Sequence, residues 1–287
     1  LKPSWDYVDY FKESFAVVRV GSLYGYINPS GSYLVRPSFD EAYGFSDGLG
    51  LVGLGGKKGF LNRKGAIQVK PEWDDALSFS EGLAAVKSGG KWGYVDKSGS
   101  VKIQPIFGAS TPFSGGLAAV RDESGMWGFI DSSGKYVIDP VWEEAKGFSE
   151  GLAAVKRSGR WGYINAKGVV VIGLTFDFAE PFTEGLAPVA VASAEGLRWG
   201  FIDRRGEWVI KPHWSRVQRF SQGLAPVEVG VGEEARWGYV DKAGNLAIPA
   251  RFLLAVPFRG GLGFVLDEGF RWGYIDPLGR FVLPPSG

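Results

Sequence analysis

Residues Pro71–Ile103 read PEWDDALSFSEGLAAVKSGGKWGYVDKSGSVKI, and nearly all the rest of the chain is this stretch rewritten. An aromatic opens each copy at Trp5, Phe39, Trp73, Phe107, Trp142, Phe176, Trp214 and Phe252. A phenylalanine follows six residues later in all eight, from Phe11 to Phe258. A second landmark, an aromatic-Gly pair, recurs at Tyr24-Gly25, Trp92-Gly93, Trp127-Gly128, Trp161-Gly162, Trp199-Gly200, Trp237-Gly238 and Trp272-Gly273. Only Lys58-Gly59 departs from it. The period is 34 or 35 residues, stretched to 38 where extra residues precede Trp199 and Trp237. One such unit cannot cover its own apolar face, so a fixed period of this length implies stacked neighbours.

Each copy predicts three short strands. GLAAV or GLAPV, strand A, alternates apolar residues behind a permissive glycine. WGYVD, strand B, places Trp92, Tyr94 and Asp96 on one face and Val95 on the other, which leaves its buried face ambiguous. Gly93 is expected to be required by packing against a neighbouring unit. Strand C is VKI, YVI, WVI or FVL and is predicted to stop at Pro105, Pro140, Pro212 and Pro284, which lack an N–H for the ladder. Between B and C, Asp96-Lys-Ser-Gly99, Asp131-Ser-Ser-Gly134, Asn165-Ala-Lys-Gly168 and their copies share Asx-x-x-Gly. The Asx side chain caps such a turn and the glycine supplies a positive φ. In the crossing to the next unit, Trp73, Ala76 and Phe79 point inward on an irregular turn or a short fourth strand.

With KWGYVDKSG, RWGYINAKG from Arg160 and RWGYIDPLG from Arg271 in view, the whole chain resembles the bacterial WG-repeat, or KWG-repeat, proteins. The resemblance implies β-strand arrays used as accessory or recognition regions and brings no catalytic motif with it. The predicted fold is therefore all-β: one array over residues 1–287 of about eight three-stranded meanders. LKPSWDYVDYF at the start and FVLPPSG at the end are out of phase and complete each other. This favours a closed, propeller-like toroid of eight units over an open β-superhelix or solenoid.

Composition narrows function by exclusion. Aromatics make up 15% of the residues and glycines number 44, which suits an all-β chain rich in turns. With no cysteine there is neither a disulfide nor a thiolate metal site. The formal net charge of +1 gives no reason to expect nucleic-acid binding. No apolar run approaches the ~18 residues of a spanning helix, and the compartment is left open. His213 is the only histidine and reads as a surface or turn residue. Glu143-Glu144 and Asp74-Asp75 read as solvated turn carboxylates, and Asp6, Asp40 and Asp74 as turn caps. No nucleophile triad, phosphate loop, cofactor site or metal cluster is evident.

The expectation is a non-catalytic binding scaffold for a protein partner, with a glycan or cell-wall binding module and a structural spacer as the alternatives, and a monomer. Exposure separates the first two: sugar stacking needs several equivalent aromatics open to solvent, and all eleven Trp fall at repeat positions where burial is expected. Residues 189–198 and 227–236 are lengthened A–B loops, where a rigid scaffold tends to carry specificity. The candidate binding residues are the cations just before the second landmark, Lys57, Lys91, Arg160, Arg198, Arg236 and Arg271, which equivalent placement gathers on one rim. Glu13, Asp47, Glu81, Glu150 and Glu184 stand at the opposite end of strand A. A protein or an anionic glycan is the expected ligand of the basic residues.

Overall fold

The computed structural model describes residues 5–194, 196–230 and 232–286, with side chains to Val282. Leu1–Ser4 and Gly287, on which the overlap of the two ends partly rests, lie outside the described residues, as do Glu195 and Val231 of the lengthened loops. The chain divides into two compact units, Leu1–Phe148 and Ser149–Gly287. Eight four-stranded antiparallel sheets follow one another in chain order, each with its strands in sequence order. They are blades of the β-propeller kind, and a single 3₁₀ turn, Gly232–Glu234, is the helical element among the described residues.

Blade three shows the plan. Its strands are Asp75–Ala76, Leu83–Ser88, Lys91–Asp96 and Val101–Phe107. The first is the short strand in the crossing, pairing Ala76 with Val86 and Asp75 with Lys87. The expected three-stranded meander thus gains a strand, and the blade is phased one strand earlier than the sequence unit. Accordingly Tyr7–Val8 enters the first sheet, and the last sheet draws all four strands from its own copy.

The fourth strand also runs past the proline at which it was predicted to stop. Trp92 faces Phe107 and Tyr94 faces Ile103, so two residues of the third strand span four of the fourth. Pro105 sits inside that bulge, where no ladder N–H is required of it. The same bulge explains the repeated glycine. A Cβ on Gly93 would lie 2.6 Å from Pro105 N and 2.7 Å from Gln104 C, and closer still to Ile103 O; Gly25, Gly59, Gly128, Gly162, Gly200 and Gly238 are crowded in the same way. The glycine is demanded by the next strand of its own blade, not by a neighbouring blade as expected.

Both faces of the central strands are covered. Leu83, Ala85 and Tyr94 pack with Phe113, Ala118, Val120 and Ile130 of blade four. Ala84, Val86 and Val95 pack with Leu49, Leu51 and Phe60 of blade two. Strand B therefore has no exposed face, which resolves its ambiguity. Between blades, the aromatic of WGY meets the crossing phenylalanine nineteen residues later: Tyr94 and Phe113 lie 4.9 Å apart at 64°, and Tyr26–Phe45, Phe60–Phe79, Tyr163–Phe182, Phe201–Phe220 and Tyr239–Phe258 repeat the contact. Edge-to-face pairs add roughly 0.5–1.5 kcal/mol beyond their buried area. The Tyr94 hydroxyl also donates to Thr111 O at 2.8 Å.

Two sets of side chains close the turns. Asp96 Oδ1 accepts the Ser98 and Ser100 N–H groups while Gly99 takes φ +84°, as the Asx-x-x-Gly pattern predicts. Asp6, Asp40 and Asp74 accept the N–H of Gly21, Gly55 and Gly89, so their reading as caps holds. Hydrogen bonds favour the ionised form of a carboxylate. The Ser98 hydroxyl and Lys102 hold Asp96 well below the usual carboxylate range; the Ser133 hydroxyl does this for Asp131, and Arg280 for Asp276. A depressed folded pKa contributes stability that is present above the unfolded value of about 3.9 and is lost as pH falls below it. The urea midpoint is therefore expected to fall when pH drops from neutrality to below about 4. An equal midpoint at both pH values would show that these caps contribute nothing.

Candidate functional site

Each of the six candidate cations stands at or just before the third strand of its blade, beside the hairpin from the second, and five have a carboxylate against them. Lys57 Nζ lies 2.6 Å from Asp74, Lys91 Nζ 3.6 Å from Glu123, Arg236 Nε 3.0 Å from Glu268 and Arg271 2.8 Å from Asp267; Arg160 pairs with Asp177. Charge is thus balanced locally at these five, a placement the sequence could not reveal for Lys57 and Arg160 because Asp74 and Asp177 lie seventeen residues on. Arg198 donates to Leu197 O at 3.1 Å and lines a pocket.

The acids at the other end of strand A are latches. Glu81 takes φ +54° in a two-residue turn closed by Ser80 and Leu83, and its carboxylate accepts the Gly115 and Gly116 N–H groups of blade four at 2.8 and 2.9 Å. Asp47 reaches Gly82 in the same way, Glu150 reaches Gly185, and Glu184 reaches Gln222 and Gly223. Beside them, the Ser46, Ser80, Ser149 and Ser221 hydroxyls donate to the crossing phenylalanine carbonyl of the following blade at 2.6–2.7 Å. Positive φ at both central positions favours Asn-Gly or Asp-Gly, and at Glu81, Glu150, Glu184 and Asp47 alike the carboxylate reaches backbone N–H groups of the next blade.

The landmark tryptophans are mostly covered. Trp73, Trp142, Trp161 and Trp237 are buried and Trp92, Trp127 and Trp199 half-buried. Trp272 is 42% exposed and stacks on Phe264 at 4.6 Å and 8°. Open aromatics at equivalent positions come in twos among the described residues, Trp208 with Phe281 at the head of the fourth strand and Tyr7 with Phe178 at the head of the first, rather than as a row along the array.

Blades six and seven depart from the plan in one place. The hairpin of Ala187–Ser193 and Gly196–Ile202 pairs as far as Ser193 with Gly196, two residue pairs beyond the Ser88–Lys91 end of blade three. That of Ala225–Val229 and Arg236–Val240 carries the 3₁₀ turn in its loop. At their base, Ser215 replaces the capping aspartate and leaves room. A pocket of about 240 Å³ opens there, lined by Arg198, His213, Trp214, Ser215, Glu228 and Gly230. The Ser215 hydroxyl donates to Glu228 at 3.1 Å, and Arg216 Nε lies 3.6 Å from the same carboxylate. His213 is exposed, as expected; its ring lies 3.9 Å from that of Trp214, and Nδ1 is 2.8 Å from Lys211 O.

On a strand, successive side chains leave by opposite faces. Trp199, next to Arg198, accordingly lines a second concavity of about 590 Å³ with Pro181, Pro188, Val217, Arg219 and Pro257. One hairpin strand therefore walls two hollows. Sequence reasoning had Arg198 and the long loops but missed His213, Trp214 and Glu228; the available signal was Ser215 in the place of the repeated aspartate.

Eight blades of one sequence pattern, seven of them built around an aromatic-Gly pair, define a repeat protein with propeller-type blades. The chain belongs to the family of the WG containing repeat, whose model matches residues 24–57, 59–92, 92–124, 127–161, 161–191, 199–230, 237–269 and 272–286. No curated protein matches it. Among solved structures, it is similar to Kluyveromyces lactis Hsv2 with loop 6CD replaced by a Gly-Ser linker, at 10% identity, TM-score 0.50, 84% of this chain and 94% of that one. It is also similar to BamB from Moraxella catarrhalis (12%, 0.45, 83% and 80%) and to the WD40 propeller domain of Doa1 (10%, 0.40, 77% and 88%). At such identities the likeness concerns the fold alone. Among the described residues no helix is long and apolar enough to cross a membrane, and no cluster of His, Cys, Asp or Glu is arranged to hold a metal ion.

Proposed function

We propose that the chain is a non-catalytic scaffold that binds a protein partner at the lengthened hairpins of blades six and seven. The observation that carries this reading is the pocket at their base, formed where both hairpins are longer than elsewhere and the repeated aspartate is lost. Its volume suits one or two side chains of a partner. Its walls, a guanidinium, an indole, an imidazole and a hydrogen-bonded carboxylate, suit recognition of a polar or acidic side chain. Arg and Trp are the residue types that dominate interface energetics. Of the six candidate cations, Arg198 is the one that lines this pocket.

A random peptide library displayed on phage tests the reading with the intact chain as bait. Enrichment of peptides bearing an acidic residue is expected, with binding that weakens as salt rises and is lost in Arg198→Glu/Arg236→Glu at unchanged melting temperature. No enrichment, or enrichment indifferent to the double replacement, overturns it. The second reading, a glycan module, draws first on the open Trp272–Phe264 stack. Binding to a glycan array that Trp272→Ala abolishes, with no peptide enriched, would favour it.

A further inference from the structure

The eight fourth strands serve as controls on one another. Each is the terminal strand of its sheet. An edge strand offers unpaired N–H and C=O groups to any other strand, and proteins blunt such edges with proline, charge and bulges. Arg36-Pro37, Lys70-Pro71, Lys102 with Pro105, Asp139-Pro140 and Lys211-Pro212 do this here. Blade seven has Pro249 and Arg251, and blade eight Pro284-Pro285. Blade five keeps the bulge but has neither proline nor charge in this strand. Its fourth strand, Val170–Phe176, reads VVIGLTF, with Gly173-Leu174 where blades one to four and six carry a charged or amide residue followed by proline, blade seven Pro249-Ala250 and blade eight Pro284-Pro285. Val169, Val170 and Val171 are 55%, 42% and 45% exposed. Among the described residues the strand pairs only with Arg160–Asn165.

We propose that this edge pairs antiparallel with the same strand of a second copy of the chain, joining two blade-five sheets across a two-fold axis near Ile172. In that register Val170 faces Leu174 of the other copy, and Lys167 faces the end at Asp177, a carboxylate that Arg160 of its own chain also holds, so like charges are not set directly opposite each other. A parallel register would set Lys167 against Lys167. The occupant is a second copy because the strand is itself what the edge requires: neutral, β-branched, free of proline and self-complementary, as an isologous contact demands. The dimer stands against the monomer expected from sequence, and it uses a different part of the molecule from the hairpin pocket.

Sedimentation equilibrium of the intact chain tests it. The wild type is expected to approach twice the chain mass of 31.1 kDa at micromolar concentrations. Gly173→Lys/Leu174→Pro copies the Lys211-Pro212 of blade six into the same bulge, so the blade plan accommodates it, and a single chain mass at an unchanged circular dichroism spectrum is expected. Val171→Lys charges the edge without touching the bulge and is expected to give the same result should the proline variant fail to fold. A wild type that stays at one chain mass overturns the proposal, as does a dimer that survives either variant in folded form.

Discussion

Gly93→Val is expected to destabilise the protein at the upper end of the ~1–3 kcal/mol typical of overpacking, and Lys97→Ala, four residues on, by about half a kcal/mol or less. The contrast follows from what each position faces. A Cβ at residue 93 would sit 2.6 Å from Pro105 N, against backbone that cannot rotate aside. The Lys97 side chain is exposed, and it is the residue's carbonyl, unchanged by the replacement, that accepts the Gln68 side-chain amide. Denaturant midpoints of the two variants check it. Equal midpoints would mean that the fourth strand can shift its bulge, and the aromatic-Gly landmark would then need another explanation.

Phe113→Ala is expected to cost about 3–5 kcal/mol, the range for deleting a large buried aromatic. Phe113 is 2% exposed and closes the contact between blades three and four against Tyr94. Tyr94→Phe is the paired control. It removes the hydrogen bond to Thr111 O, for a loss near 1 kcal/mol, but keeps the ring, and Phe60, Phe129 and Phe201 already fill the equivalent place in other blades. If both variants lost the same stability, the hydroxyl rather than the ring pair would hold the blades together.

The division between what could be read and what could not runs along the length of the contacts. His213 on the surface, the Asx caps and the length of two hairpins are local matters, settled within a few residues. The candidate cations stand where expected along their strands, but the carboxylates against Lys57, Lys91, Arg160 and Arg236 come from seventeen to thirty-two residues later, and a count of like charges at equivalent positions says nothing of what stands beside them. Loss of a cap at Ser215 was visible in the sequence, yet only the lengthened hairpins around it turn that loss into a pocket.

By itself the sequence determined the period, the all-β class, the Asx-x-x-Gly turns and the inward aromatics, because each rests on φ preferences or apolar spacing inside one copy. The tertiary structure alone decided the fourth strand, the bulge that takes Pro105 in and forces Gly93, the covering of both faces of strand B, and the use of Glu81 as a latch on blade four. The strand pairing and the bulge need two strands in register, and the rest needs a neighbouring blade some 34 residues away. No pattern within one copy fixes which groups a neighbour will present.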